Sequence, residues 1–371
     1  MQHTNPIRVL GDLQENQTLL KGQSFDRHDI VRASGDAATR KPFHGVYSRA
    51  ESALAFDGGT LELTITPTGD SFSLWFMGVE YRTGAKALTV DSTAGLHFIY
   101  FDSTFTLQQS MDPWDLLETI PVATVFWNGS VGAMSDERHN STRDLDWHIW
   151  AHTTVGTRYR SGLTFANVGG TPDTFAVASG TIADEDIEFN IDAQTTCRTW
   201  YQNGASTYTF PDAASSTAFI WNSGTSRAQY PDSSNSYTLT DFNSARYFNV
   251  WVYAATDMDV PVYTFTETFA SGTGGYTTIA GARAVGIPDL SNLGLSPEIK
   301  LLYRVIYRGD GTFQEQTDYR TSSSLPSGSI ATPTAISVSL TPTGVVTETN
   351  VQAAIDRLAS PDIYAFAAAQ G

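Results

Sequence analysis

The chain of 371 residues has little of what disulfide-stabilised or nucleic-acid-binding proteins need. Cys197 is the only cysteine, which excludes an intramolecular disulfide and a metal site built on cysteines. The lysines are limited to Lys21, Lys41, Lys86 and Lys300, and there is no basic run or patch. The net charge of −17 therefore predicts no binding to nucleic acid, which is itself an anion.

Long apolar runs are missing as well. No segment approaches the roughly 18 apolar residues that a membrane-spanning helix needs, so we expect no membrane insertion. The first 30 residues are polar and lack the apolar centre of a secretory signal, which predicts synthesis and folding in a cytoplasm. Cys197 lies among threonines, where we expect it to be a small buried apolar residue.

Charged residues make up only 16% of the chain, and Thr, Ser, Gly, Asn and Tyr take their place. A hydrophobic content of 41% with 12% aromatic residues is enough to form hydrophobic cores. Apolar and polar residues alternate in 61–66, 246–253 is a nearly continuous apolar run, and 301–308 places Arg304 and Arg308 on one face. These patterns are typical of half-buried and fully buried strands. The sequence therefore predicts an all-β protein with β-sandwich or barrel-like domains.

Turn and linker residues divide the chain into four parts. Residues 1–41 show no sustained period and are expected to form an N-terminal arm. Residues 42–130 are expected to form a first β-domain, in which 87–90 and 96–101 pair as a hairpin. Residues 131–325 form a second β-rich region of one subdomain or two. Residues 326–371 contain a linker, one strand and a short C-terminal helix.

The predicted C-terminal helix is short and amphipathic. Thr349 can act as its N-cap, and Gln352 completes a capping box. Val351, Ile355 and Leu358 form one apolar stripe at i, i+4 and i+7. An isolated helix of this length is marginal in water, so it needs a surface to pack on. That surface is either its own domain or the same helix of neighbouring subunits.

Residues 343–356 read Thr-Gly-Val-Val-Thr-Glu-Thr-Asn-Val-Gln-Ala-Ala-Ile-Asp. This string resembles a short threonine-rich segment of many tailed-bacteriophage virion proteins, which often precedes or joins trimeric elements in tail fibres, spikes and head fibres. The resemblance implies a homotrimer in which Val351, Ile355 and Leu358 form the oligomerisation seam. It also implies a protein of the virion, made in the host cytoplasm, that contacts other virion proteins.

A second resemblance to phage virion proteins covers the middle of the chain. The matching residues are His148, His152, Gly156, Tyr159, Ser161 and Gly162, followed by residues 180–187. No activity is attached to this pattern, so it carries over no catalytic residue.

The strongest candidates for chemistry surround His148 and His152. We interpret 146–152 as a strand, on which Asp146, His148, Trp150 and His152 share one face. The two histidines are then about 13 Å apart along the chain, too far to bind one metal ion. We interpret the acidic residues 184–186 as a solvated turn. The sequence therefore predicts no metal site, no cofactor, no catalytic residue and no enzymatic activity.

Aromatic residues in the turn-rich segment 200–240 are candidates for contacts with a host glycan or protein. Aromatic rings supply flat apolar area, and short polar groups supply hydrogen bonds. The candidate contact residues are Tyr201, Tyr208, Trp221, Tyr230 and Tyr237. The alternative interpretation is that these rings belong to the core.

These features favour a structural protein at the periphery of a tailed-phage virion: a tail tip, baseplate, tail fibre, head fibre or spike that links to or contributes to host attachment. One alternative is a polysaccharide-degrading spike enzyme. Such enzymes are commonly long parallel β-helices, whose regular short rungs are missing here. Another alternative is a carbohydrate-binding module protein, which would usually have a secretion signal.

Overall fold

The computed structural model describes residues 43–141, 145–270, 272, 274–288, 290 and 298–321. This part of the chain contains 24 strands, two α-helices and one 3-10 helix, which confirms the all-β class. The predicted arm and the C-terminal linker, strand and helix lie outside the described residues, and so do Val351, Ile355 and Leu358. Neither described helix has the length and apolar character of a membrane span.

Residues 45–136 form three antiparallel sheets, with strand orders β1-β4-β5, β2-β3-β6 and β10-β9-β7-β8. The 3-10 helix Arg49–Glu51 lies between the first two strands. The strands are β1 Gly45–Val46, β2 Ser52–Asp57, β3 Glu62–Pro67, β4 Phe72–Phe76, β5 Val79–Thr83, β6 Lys86–Thr89, β7 Gly95–Phe101, β8 Leu107–Ser110, β9 Ile120–Trp127 and β10 Gly132–Asp136.

The alternation read from residues 61–66 sets the orientation of β3. Leu63 and Ile65 are fully buried in a hydrophobic cluster formed by residues 46–134, while Glu62 and Thr66 are exposed. The predicted hairpin of 87–90 with 96–101 was wrong. β6 pairs with β3, and β7 pairs with β8 and β9, because these partners complete two different sheets around the shared core.

Residues 145–318 form the remaining sheets, with strand orders β11-β14-β15, β12-β13, β18-β19-β20 and β17-β16-β22-β21-β23-β24. Helix α1, Leu145–Thr154, precedes them, and helix α2, Ile279–Arg283, lies between β22 and β23. The strands are β11 Arg158–Gly162, β12 Phe165–Gly170, β13 Asp173–Val177, β14 Gly180–Asp184, β15 Ile187–Ile191, β16 Arg198–Gln202, β17 Tyr208–Thr209, β18 Trp221–Asn222, β19 Arg227–Asp232, β20 Thr238–Asp241, β21 Tyr247–Ala255, β22 Val262–Thr266, β23 Ile299–Arg308 and β24 Phe313–Asp318.

The six-stranded sheet is buried on both faces at its centre. Nearly every residue of β21 is buried, as predicted for the continuous apolar run 246–253, and nearly every residue of β23 is buried as well. One face of β21 places Phe248 and Val250 in a cluster formed by residues 163–307. The other face places Trp251 in a cluster with Phe126 and Trp200, so residues before and after position 130 share one core.

Cys197 is fully buried, as expected for a small apolar residue. Its sulfur lies 3.4 Å from the carbonyl oxygen of Thr217 and 3.4 Å from Oγ1 of Thr264. Burial raises the pKa of its thiol to about 11.

Candidate metal centre

The segment around His148 is a helix, so the prediction of a strand was wrong. Helix α1 ends at Thr154 and is followed by Gly156, whose φ of +58° is left-handed. The amides of Val155 and Gly156 donate to the carbonyl of Ala151. Apolar and aromatic residues occur on all sides of this segment, so the sequence shows no helical stripe. On a helix His148 and His152 lie one turn apart on the same side, which removes the distance argument against a shared site.

Three further segments bring acidic residues and a third histidine next to α1. We call the resulting group the His–carboxylate cluster. Its members come from the residues after β10, from α1, from the turn between β14 and β15, and from the residue before β23. They are Glu137, His139, His148, His152, Asp184, Glu185, Asp186 and Glu298.

Strand β1 fixes the backbone at His139. The amide of Val46 donates to the carbonyl of His139 at 3.0 Å, and the amide of Ser141 donates to the carbonyl of Val46 at 2.8 Å. Gly45 has a φ of +124°, and a Cβ there would lie 2.9 Å from the carbonyl oxygen of His139. Only glycine fits this close approach without displacing the segment that carries Glu137 and His139.

The turn between β14 and β15 is buried, so its interpretation as a solvated turn was wrong. Asp184 pairs with Ile187, which leaves Glu185 and Asp186 as a two-residue hairpin loop. Glu185 has a φ of +44°, a conformation that such loops usually assign to glycine or asparagine. Its side chain is only 4% exposed because it points into the cluster and contacts both histidines of α1.

Glu185 and His148 form a short hydrogen bond with each other. Nδ1 of His148 lies 2.7 Å from Oε2 of Glu185, and Nε2 lies 3.0 Å from the carbonyl oxygen of Asn140. Both partners are hydrogen-bond acceptors, so each ring nitrogen of His148 faces an oxygen to which it can donate. On the other side, Nδ1 of His152 lies 3.3 Å from Oε1 of Glu185 and 3.4 Å from Oε1 of Glu298.

His139 has a close hydrogen-bond partner on only one of its two ring nitrogens. Nδ1 lies 2.9 Å from Oδ1 of Asp186. Nε2 lies 3.6 Å from Oε2 of Glu137 and 3.5 Å from Oδ2 of Asp184, too far for good hydrogen bonds. Glu137 and Asp184 are each 1% exposed, and neither carboxylate has a hydrogen-bond partner among the described residues. Such groups are costly to bury.

The pKa values of the cluster reflect burial opposed by neighbouring charge. Burial raises the pKa of Glu137 to about 7. Burial, together with the charge of Glu298, raises the pKa of Asp184 well above its usual range. Burial would lower the pKa of His139, but the charge of Glu185 and the hydrogen bond to Asp186 outweigh it and raise that pKa well above its ordinary value.

The same balance acts on the pair formed by His152 and Glu185. Burial opposes the charged form of His152, but the hydrogen bond to Glu185 and the charge of Glu298 outweigh it and raise its pKa to about 9. Burial also opposes the charged form of Glu185, but the charge of His139 and the hydrogen bonds from His148 and His152 lower its pKa to about 2.

A cavity opens beside the cluster and connects it with the surface. Its volume is about 420 Å³ when its open mouth is included. Glu137, His139 and His152 line one part of it, and Trp114 and Leu116 line an apolar part. Glu137 and Glu185 are the carboxylates of the cluster that line this cavity.

Sequence reasoning missed Glu137, His139 and Glu298 as site residues. The available indication was that three short segments, 135–139, 148–152 and 184–186, together contain three histidines and five acidic residues but only one arginine. What joins them is the pairing of β14 with β15 and the packing of α1, which local patterns do not encode.

The five predicted contact residues lie elsewhere in the fold. Tyr230 is only 3% exposed, and its ring packs 4.7 Å from Phe242 and 5.6 Å from Phe269, so it is a core residue and not a surface contact. Its aromatic size made both interpretations compatible with the sequence. Tyr201, Tyr208, Trp221 and Tyr237 are half-buried, and their contact with a host molecule stays a prediction.

Comparison of the chain with known protein families, with curated proteins and with solved structures found no match.

Proposed function

We propose that this chain is a structural, non-enzymatic component of a tailed-phage virion, located at the periphery of the particle. The observation that carries the proposal is the threonine-rich segment 343–356, which resembles segments that join trimeric elements in virion proteins. The all-β architecture of the described residues is compatible with this role. The protein would act as a homotrimer that contacts other virion proteins and links to or contributes to host attachment.

The burial of the His–carboxylate cluster supports a structural role over the hydrolysis of a polymer. A glycosidase places two carboxylates about 5–9 Å apart across a groove that the sugar chain can enter. Glu137 and Asp184 are each 1% exposed, so a polysaccharide chain has no contact with them. If the purified protein released reducing ends from host capsule or cell-wall polysaccharide, the alternative of a polysaccharide-degrading spike enzyme would replace our proposal.

The virion role is tested on particles. Phage particles purified on a density gradient should contain this protein in a fixed copy number by quantitative mass spectrometry. An antibody against the chain should label the outside of the tail or head in electron micrographs. A protein that is abundant in the lysate but missing from purified particles would contradict the proposal.

The trimer is tested separately through its predicted seam. Ile355→Asp combined with Leu358→Asp removes two apolar side chains per subunit and places like charges around one axis. The wild-type chain should scatter light as a trimer, and the double variant as a monomer with an unchanged thermal unfolding of the body. A monomeric wild-type chain would contradict the trimer, and loss of body stability would mean that the helix packs on its own domain.

A further inference from the structure

We propose that Glu137, His139 and Asp184 bind one divalent first-row transition-metal ion. The ligand atoms are Oε2 of Glu137, Nε2 of His139 and Oδ2 of Asp184, which lie within 4.8 Å of one another. This inference is independent of the virion role, because it rests on the geometry of the described residues alone.

The first argument is the spacing of the three ligand atoms. Nε2 of His139 lies 3.6 Å from Oε2 of Glu137 and 3.5 Å from Oδ2 of Asp184. Ligand atoms about 2.1 Å from one tetrahedral ion lie about 3.4 Å from each other. Direct hydrogen bonds between a charged histidine and a carboxylate are about 2.7–2.9 Å long. The observed separations therefore fit a shared ion better than a shared proton.

The second argument is the orientation of the His139 ring. Its Nδ1 lies 2.9 Å from Oδ1 of Asp186, so in the metal-bound form, where the ion replaces the proton of Nε2, the Nε2 lone pair is the one that binds the ion. That lone pair faces two carboxylates, which are also acceptors. A carboxylate that holds the far nitrogen of a histidine is the usual support of a histidine that binds a metal.

The third argument is that hydrogen-bond partners are lacking at these atoms in particular. Both oxygens of Glu137, both oxygens of Asp184 and Nε2 of His139 are buried and have no hydrogen-bond partner in the described part of the chain. Glu185 and Asp186 lie in the same cluster, but they accept hydrogen bonds from His148 and His139. The acceptors without partners thus converge on one point, where a cation would satisfy all three residues.

The fourth argument selects the class of ion. One imidazole and two carboxylates suit Zn²⁺, Mn²⁺ or Fe²⁺, whereas Ca²⁺ and Mg²⁺ prefer oxygen ligands alone. The charge of Glu298 acts on Asp184 and Glu137 and adds to the attraction for a cation. The cavity beside Glu137 and His139 leaves room for water as the remaining ligand.

The experiment uses the full chain after dialysis against a chelator and then against metal-free buffer. Titration with ZnCl₂ alone and with MnCl₂ alone in a calorimeter should give one equivalent bound, with CaCl₂ binding far more weakly. Glu137→Gln and Asp184→Asn should each weaken binding by about 100-fold or more, since each removes a charged ligand.

The matched control is Glu267→Gln. Glu267 is a half-buried carboxylate that accepts hydrogen bonds from Asn249 and Tyr276. This variant should bind zinc with the wild-type affinity. Zinc binding that is unchanged in both Glu137→Gln and Asp184→Asn would overturn the proposal, and so would the lack of any stoichiometric zinc or manganese binding.

A second measurement does not depend on the folding of the variants. X-ray absorption at the zinc edge of the loaded wild-type chain should show one imidazole among oxygen ligands about 2.0–2.1 Å from the ion. A zinc environment with a sulfur ligand, or one without imidazole, would overturn the assignment to Glu137, His139 and Asp184.

Discussion

Two buried charged groups alternate along residues 136–139 and differ in how they are satisfied. Asp136 accepts from Nε of Arg138 at 2.8 Å and from Nη2 at 2.7 Å, and Nη1 of Arg138 donates to the carbonyl of Ser52 at 2.6 Å. Glu137 and His139, the residues in between, face the opposite side and have unsatisfied atoms. The first group is satisfied by described residues, whereas no described residue donates a hydrogen bond to the carboxylate of Glu137 in the second.

The complete arrangement recurs at a distant position. Nε of Arg198 donates to Oδ2 of Asp257 at 2.6 Å, and the hydroxyl of Tyr263 donates to the same carboxylate at 2.9 Å. Asp136 and Asp257 are thus both paired with a buried arginine. The comparison teaches that, among the buried carboxylates of the described residues, those whose oxygens lack a hydrogen-bond partner both belong to the cluster.

The largest expected effect on the free energy of unfolding comes from breaking the pair formed by Asp136 and Arg138. Arg138→Ala removes the two short hydrogen bonds of the buried Asp136 carboxylate and leaves it, among the described cations, only the 3.4 Å contact with Arg49, which should lower the free energy of unfolding by about 3–5 kcal/mol. Urea denaturation of the full chain measures this change. Arg160→Ala is the control, because its partner Glu188 is exposed and the pair should contribute less than about 1 kcal/mol. A change under about 1 kcal/mol for Arg138→Ala would break the comparison.

A bound metal ion should turn the second group, Glu137 and His139, into a source of stability. At a free zinc concentration 100 times the dissociation constant, binding adds about 2.7 kcal/mol to the free energy of unfolding. The wild-type chain should therefore unfold at higher urea concentration with zinc than with a chelator. Asp184→Asn should show the same midpoint in both buffers, and a zinc effect of wild-type size in that variant would contradict the assignment.

Gly45 gives a smaller effect that acts through the backbone. Gly45→Ala places a Cβ 2.9 Å from the carbonyl oxygen of His139 at a φ of +124°. Strain of this kind costs about 1–3 kcal/mol, and the displaced His139 should also bind zinc more weakly. Gly69→Ala is the control, because no atom lies within 4 Å of a Cβ at that position. Equal zinc affinity in both variants would show that the contact with β1 does not set the position of His139.

The smallest effect is the pH dependence of the metal-free protein. Folding raises the pKa of Glu137 from 4.5 to about 7, so the stability due to its protonated form is complete below pH 4.5 and is lost as the pH rises through 7. Folding raises the pKa of His152 from 6.5 to about 9, so its contribution is lost as the pH rises through 9. Urea midpoints in chelator should fall from pH 5 to pH 9. A rising midpoint would contradict these directions.

Local patterns were enough to predict the strands whose burial is regular. β3 alternates and β21 is a nearly continuous apolar run, so the burial of each was predictable from the sequence. Strand partners were less predictable. β6 follows β5 but pairs with β3, because the choice of partner depends on which sheet completes the core.

The candidate site was the least predictable part. The sequence identifies His148 and His152 as candidates, but their helix has no apolar stripe and is therefore interpreted as a strand. A strand would hold the two histidines too far apart to share a site. The acidic turn was located at 184–186, but nothing local indicates that Glu185 is buried. Its burial follows from the packing of α1 against the turn, a contact between residues almost 40 positions apart.

Cys197 gives this fold an internal reporter of its opening rate. It is the only thiol in the chain, it is fully buried and its pKa is about 11, so at neutral pH an alkylating reagent reacts with it only when the core opens. Its labelling rate under native conditions therefore measures the frequency of that opening. Cys197 lies against Thr264 of β22, so the same label reports on the opening of the six-stranded sheet at that strand.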